Sequence, residues 1–247
     1  MVLGSVTMAS AASKSKATNA KQIPVLTYHR IFPDEVKNAP EHINDRYSVS
    51  LSTFDQQMHW LSERGYRAVT CDEFYKWRKG KLKLPKRSVL ITIDDGHGDS
   101  IENAVQVFRK YGLKGTAFII GRNSLESNDS YSITYSRICQ MQASCPEIEF
   151  QSHTYDLHEL EHPKQVKYKV FKKDADKQKS IYHFKYLAYP HGRQSAAMIK
   201  AYKKSGIKMA FLFGKPGYAT RKQNLYKIRR IEVRSEMTMD QFKKWCH

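Results

Sequence analysis

Cysteines, long apolar runs and acidic side chains are all scarce in this 247-residue chain. The four cysteines, Cys71, Cys139, Cys145 and Cys246, show no Cys-x-x-Cys spacing and have no histidine pair at zinc-finger spacing, which excludes a zinc finger. Cys139 and Cys145 are near enough in sequence for a local disulfide outside the cell, or they stand as ordinary unpaired thiols. No run approaches the ~20 apolar residues of a membrane span, so no transmembrane segment is expected and any membrane contact would be peripheral. Acidic residues number 24 against 42 Lys and Arg, a net charge of +18. Such a surface attracts polyanions, whether nucleic acid, anionic lipid or cell-wall polymer. The basic residues are spread through "KWRKGKLKLPKR", "KQVKYKVFKKDADKQK", "KAYKKSGIK" and "RKQNLYKIRR", as on solvated helix faces and loops. No nucleic-acid-binding motif accompanies them, so nucleic acid is not expected as a partner.

What is present argues for one folded domain. Hydrophobic residues make up 40% of the chain, with 15 Tyr and 11 Phe, enough to build a sizeable core at this length. Residues 1–21 are set apart: the first twenty, "MVLGSVTMASAASKSKATNA", are mildly apolar, then small, then polar, and "ASAAS" resembles a signal cleavage site. The usual positive start is missing, which leaves a truncated secretory signal or a disordered tail. From residue 22 to 247 the chain reads as a single domain free of repeats. Strand-like "IPVLTYHRI", "SVLITI", "KGTAFII", "IEFQSH", "YLAYP", "MAFLF" and "YKIRRIEV" alternate with helix-like segments. Two helix starts are marked by Ser52 with Asp55 and by Asp99 with Glu102, and Gly65, Gly112 and Gly206 mark helix ends. This alternation predicts βα units around a parallel sheet.

Chemistry is expected where such strands end. "SVLITIDDG" places Asp94 and Asp95 at the end of a strand apolar on both faces. Neighbouring side chains leave a strand in opposite directions, so one aspartate can hold a metal while the other takes a proton. "FQSHTYDLH" puts His153 and His158 just past another strand. Their five-residue spacing does not fit one face of a helix, so they converge from a loop. With Asp95 they form a His, His, Asp set that leaves a coordination position open, as catalytic zinc sites do. Zinc suits the set best; cobalt, nickel or iron would also be accepted. In "LAYPHGR", Tyr189, Pro190 and Gly192 shape a tight loop that aims the backbone N–H of His191 at a developing oxyanion. His29, in "VLTYHRI", ends the first strand where a proton donor is useful. Among the aromatics, Tyr155, Tyr189 and Phe213 offer faces for stacking a sugar, with Tyr189 the one expected to do so.

"TIDDG", "SHTYDLH" and "AYPHG", in that order, resemble the motifs of the NodB-type polysaccharide deacetylases, carbohydrate esterase family four. The early "YHR", the "PKRSV" lead-in and the longer "SHTYDLH" spacing resemble the branch that acts on poly-N-acetylglucosamine in biofilms. The resemblance implies a deformed (β/α) TIM-like barrel and metal-dependent removal of acetyl groups from a secreted or cell-surface glycan. It implies Asp94 as general base, Asp95, His153 and His158 as metal ligands, and Tyr189 to His191 as the substrate and oxyanion loop. Two departures stand out. The last strand, "YKIRRIEV", carries no late histidine for the general acid, and in the biofilm branch the early strand supplies it, which points to His29. The arginine that usually precedes "YP" is also missing, so the partner of Asp94 is unassigned. Peptidoglycan or chitin oligomers as substrates, and a non-catalytic glycan-binding protein on the same fold, are the alternatives. The positive surface suggests attachment to an anionic cell wall.

Overall fold

The computed structural model describes residues 19–126 and 130–246; the signal-like reading of residues 1–18 lies outside the described residues. Seven strands, Val25–Tyr28, Ser88–Ile93, Gly115–Ile119, Ile148–Ser152, Tyr186–Ala188, Met209–Phe211 and Ile231–Glu232, form one parallel sheet. They lie side by side in chain order, except that Ile231–Glu232 pairs with Val25–Tyr28 and so begins the row. The short strand Arg67–Ala68 adds to the start of Ser88–Ile93. The sheet curls until its edges meet: Ile228 bridges Phe211, Leu212 N–H donates to Ile228 O at 2.7 Å, and Ile228 N–H donates to Ala210 O at 3.1 Å. The expected α/β architecture, a deformed parallel barrel, is what the chain adopts.

Burial explains why the strands read as they do. All six residues of Ser88–Ile93 are buried, as a strand covered on both faces requires. Val89, Ile91 and Ile93 pack outward with helices Leu51–Glu63 and Gly98–Tyr111. Leu90 packs inside with Val25, Phe118, Tyr186 and Phe211, above Phe74 and Trp77 of helix Cys71–Arg78. Thr92 and Asp94 continue the inward set. Helix Gly98–Tyr111 buries Ile101, Ala104, Val105 and Phe108, an apolar stripe of helical period. It ends as expected at Gly112, whose φ of 65° closes the last turn.

Two helix starts differ from the sequence reading. Helix Leu51–Glu63 is capped by Ser50, the last extended residue, which accepts from Thr53 N–H at 3.1 Å, whereas Ser52 already lies in the helix and donates its hydroxyl to Asp34. The expected Asp99–Glu102 capping box does not form: Asp99 accepts from Ser100 N–H, while Glu102 pairs with Arg137 at 2.8 Å. The capping box is formed instead by Thr70 and Glu73. All four cysteines are free thiols.

Candidate active site

At the carboxyl end of Ser88–Ile93 the backbone turns abruptly. Asp94 keeps the inward direction of Leu90 and Thr92, while Asp95 takes a φ of 72° and Gly96 one of 81°. A β-carbon on Gly96 would lie 3.3 Å from Ile119 Cδ1, so this glycine serves both the turn and the close approach of the next strand. Among the described non-glycine residues, positive φ also occurs at Thr154 (71°), His183 (55°) and His191 (54°). His183 ends a helix, and the other two stand beside Asp95 in the loops after the Ile148–Ser152 and Tyr186–Ala188 strands. The strained backbone is thus gathered at the strand ends around one site, as it is where side chains are aimed for function.

His153 and His158 converge on Asp95 from the loop, as expected. His153 is 2% exposed, with Nε2 3.3 Å from Asp95 Oδ1; His158 Nε2 lies 3.2 Å from the same oxygen. The other nitrogen of His153, Nδ1, is 2.9 Å from Ala188 O. A carbonyl only accepts, so Nδ1 donates to it, which leaves Nε2 as the nitrogen turned toward Asp95 and available to a cation. Donor atoms of one tetrahedral zinc, with bonds of about 2.0–2.1 Å, stand roughly 3.3 Å apart. The separations of both histidines from Asp95 match that edge, so the donor set fits a small divalent cation. Without a cation, burial raises the Asp95 carboxyl, but hydrogen bonds from both histidines outweigh it and hold Asp95 well below the usual carboxylate range.

Asp94, 1% exposed, has a partner that the sequence did not reveal. Arg230 enters the barrel beside the seam and grips both carboxylate oxygens, at 2.8 and 2.6 Å. Its Nε donates to Leu212 O at 2.8 Å, and the guanidinium lies 5.7 Å from the Phe118 ring centroid. Burial pushes the Asp94 carboxyl up, but the Arg230 charge wins and holds it below its ordinary value. The missing arginine before "YP" is therefore replaced from the far end of the chain. The available signal was "RRIEV": two arginines entering a strand, of which one must face inward.

A cleft of about 460 Å³ opens over these residues and brings His29, Asp94, Asp95, His153, His158 and His191 to one surface. His29 interrupts the first strand and sits between aromatic rings, 5.4 Å from Tyr47 and 5.1 Å from Phe213. The loop of Tyr189 to His191 divides in two. Pro190 is buried and turns the chain, and His191 is exposed on the cleft, its ring 4.9 Å from that of His158. A β-carbon on Gly192 would lie 2.2 Å from Phe213 O, so glycine lets this loop press against the segment carrying Phe213. Tyr189 corrects the expectation placed on it. It is 0% exposed, packed with Met198, Ala201 and Tyr202, and offers no face to a sugar. The β-strand before the turn sends Tyr189 into the helix layer, and Phe213 with Tyr47 forms the aromatic wall instead. Tyr155, 9% exposed and bonded to Glu126, lines a different groove.

The fold and the site together define a parallel α/β barrel with a candidate metal centre at its strand ends, and comparisons with known proteins give its family. The family model for polysaccharide deacetylases matches residues 81–210. The poly-beta-1,6-N-acetyl-D-glucosamine N-deacetylase of Staphylococcus epidermidis is 30% identical over 240 residues, covering 89% of this chain and 82% of that protein. Its namesake from Staphylococcus aureus is 32% identical over 213 residues, covering 81% and 72%. The Streptococcus pyogenes deacetylase PplD, solved in complex with acetate, superposes with a TM-score of 0.77 at 23% identity, covering 93% of this chain and all of that one, and so shares the fold. The chain belongs to the NodB-type polysaccharide deacetylase family.

Proposed function

We propose that this polysaccharide deacetylase hydrolyses the N-acetyl groups of N-acetylglucosamine residues in an extracellular glycan, most specifically poly-N-acetylglucosamine, with a divalent metal at Asp95, His153 and His158. The observation that carries the reading is the ionised, buried Asp94 clamped by Arg230 directly beside that donor set. The named substrates of the two staphylococcal relatives support the choice of glycan.

Amide hydrolysis needs an activated water, a place for the oxyanion and a proton for the departing amine. When bound, the metal supplies Lewis-acid polarisation of the reacting oxygens, zinc being the best match to the ligands. Asp94 takes the proton of the attacking water, and Arg230 keeps that carboxylate charged until it does. The His191 backbone N–H, on the cleft rim, stabilises the oxyanion. His29 donates a proton to the sugar nitrogen as the C–N bond breaks, leaving acetate and a free amine. Tyr47 and Phe213 offer apolar faces to the sugar ring. The surplus of positive charge, +18, attaches the enzyme to an anionic cell wall, and a rising-salt wash of whole cells should release it.

Acetate release from poly-N-acetylglucosamine tests the reading, using wild type and Asp94→Asn, after chelation and after return of zinc, cobalt or nickel. Activity that requires metal and vanishes in Asp94→Asn is expected. Metallated protein that binds the glycan yet frees no acetate would make it a glycan-binding protein, and faster release from peptidoglycan or chitin oligomers would move the substrate.

A further inference from the structure

His158 is held at both ring nitrogens, by two contacts of different kinds. Nε2 faces Asp95 Oδ1 at 3.2 Å, the spacing of two ligands on one ion. Nδ1 meets Glu159 Oε1 at 2.6 Å. That is too short for two atoms sharing a cation with bonds of about 2.0 Å in tetrahedral geometry, and it suits a charge-assisted hydrogen bond. Glu159, His158 and His191 do gather a second group of donor atoms within 4.8 Å of one another, but this short contact assigns a proton, not a second ion, between Glu159 and His158.

We infer that Glu159 is a positioning residue: its carboxylate accepts from His158 Nδ1–H, fixes the tautomer that presents the Nε2 lone pair, and strengthens that nitrogen as a metal ligand. The inference rests on the metal reading above. His153 receives the same service from a neutral backbone carbonyl, Ala188 O, inside the barrel. His158 receives it from a full negative charge whose side chain is 90% exposed. The two imidazoles are therefore unequal ligands, one locked by the fold and the other supported from solvent. Outer partners of this kind change metal affinity by about 10- to 100-fold. Exposure weakens the contact through competition with water, which places Glu159 near the lower figure.

The test is a zinc titration of metal-free protein against a competing fluorescent chelator, for wild type, Glu159→Gln and Glu159→Ala, with the melting temperature of each metal-free variant as a check on folding. One zinc per wild-type chain is expected, with a Kd raised about tenfold in Glu159→Ala, and less in Glu159→Gln because its amide oxygen still accepts. Metal-free melting temperatures should match. Equal zinc affinity in wild type and Glu159→Ala overturns the inference. So do two zinc ions per wild-type chain with one lost in Glu159→Ala, since Glu159 would then be a ligand. A wild type that binds no zinc fails at the metal reading itself, which separates the two failures.

Discussion

Replacing Arg230 by Met should be among the most damaging single changes in the barrel, and its size follows from the geometry. The Arg230 and Asp94 side chains are 0% and 2% exposed, so removing the guanidinium leaves a nearly buried carboxylate at the floor of the cleft without its counter-charge. Breaking a buried pair from one side costs about 3–5 kcal/mol, against total stabilities of about 5–15 kcal/mol. For a chain of this size each kcal/mol moves the melting temperature by about 2–4 °C, so a fall of roughly 6–20 °C is expected. The lost bond to Leu212 O at the seam pushes toward the upper end. Urea denaturation of wild type, Arg230→Met, Asp94→Leu and the double variant gives the coupling directly. The double variant should regain much of the loss, because no charge remains buried. A loss below about 1 kcal/mol in Arg230→Met, or a double variant less stable than Arg230→Met, would refute the reasoning.

Three other outcomes are expected. His29→Ala should lower acetate release by about two to four orders of magnitude, the usual worth of a general acid, with glycan binding retained; an unchanged kcat would remove His29 from the chemistry. Gly192→Ala should cost at least about 1–3 kcal/mol, since alanine is strained at a φ of 68° and its β-carbon meets Phe213 O at 2.2 Å, and thermal denaturation with a wild-type midpoint would contradict the packing described. Burial raises the Glu149 carboxyl above its ordinary value, so its contribution to stability is complete below the unfolded value near 4.3 and fades as pH rises through the higher folded value. Glu149→Gln keeps an acceptor for Cys71 N–H at 2.5 Å and the Thr116 hydroxyl at 2.6 Å. It should therefore gain on wild type at pH 8 and lose that advantage at pH 4, with urea midpoints at both as the check.

The barrel was legible because its strands are apolar on both faces and its helices carry one stripe each, patterns set by burial alone. Asp94, Asp95, His153, His158 and His29 were legible as candidates because strand ends are where a parallel barrel exposes polar groups, and the structure brings all five to one cleft. Arg230 was not, since its partner is 136 residues away and nothing local separates it from Arg229. The helix caps expected at Ser52 and Asp99 failed for different reasons: the first helix begins earlier, at Leu51 with Ser50 as its cap, and Glu102 is drawn off by Arg137. Tyr189 was misjudged because its place in the loop after a strand suggested a ring facing the cleft, whereas the ring packs into the helix layer and its hydroxyl is buried without a partner.

The seam also sets a condition on when the enzyme can act. The charge that keeps Asp94 ionised arrives on the segment that closes the ring, after every other barrel strand but the last has been laid down. A chain cut before residue 230 would lose the guanidinium together with Ile231, Val233 and Phe242 of the main core, leaving the base unsupported and the barrel unclosed. Ring closure and the counter-charge of the candidate base thus depend on one and the same segment, so a change that opens the seam should disturb fold and site together.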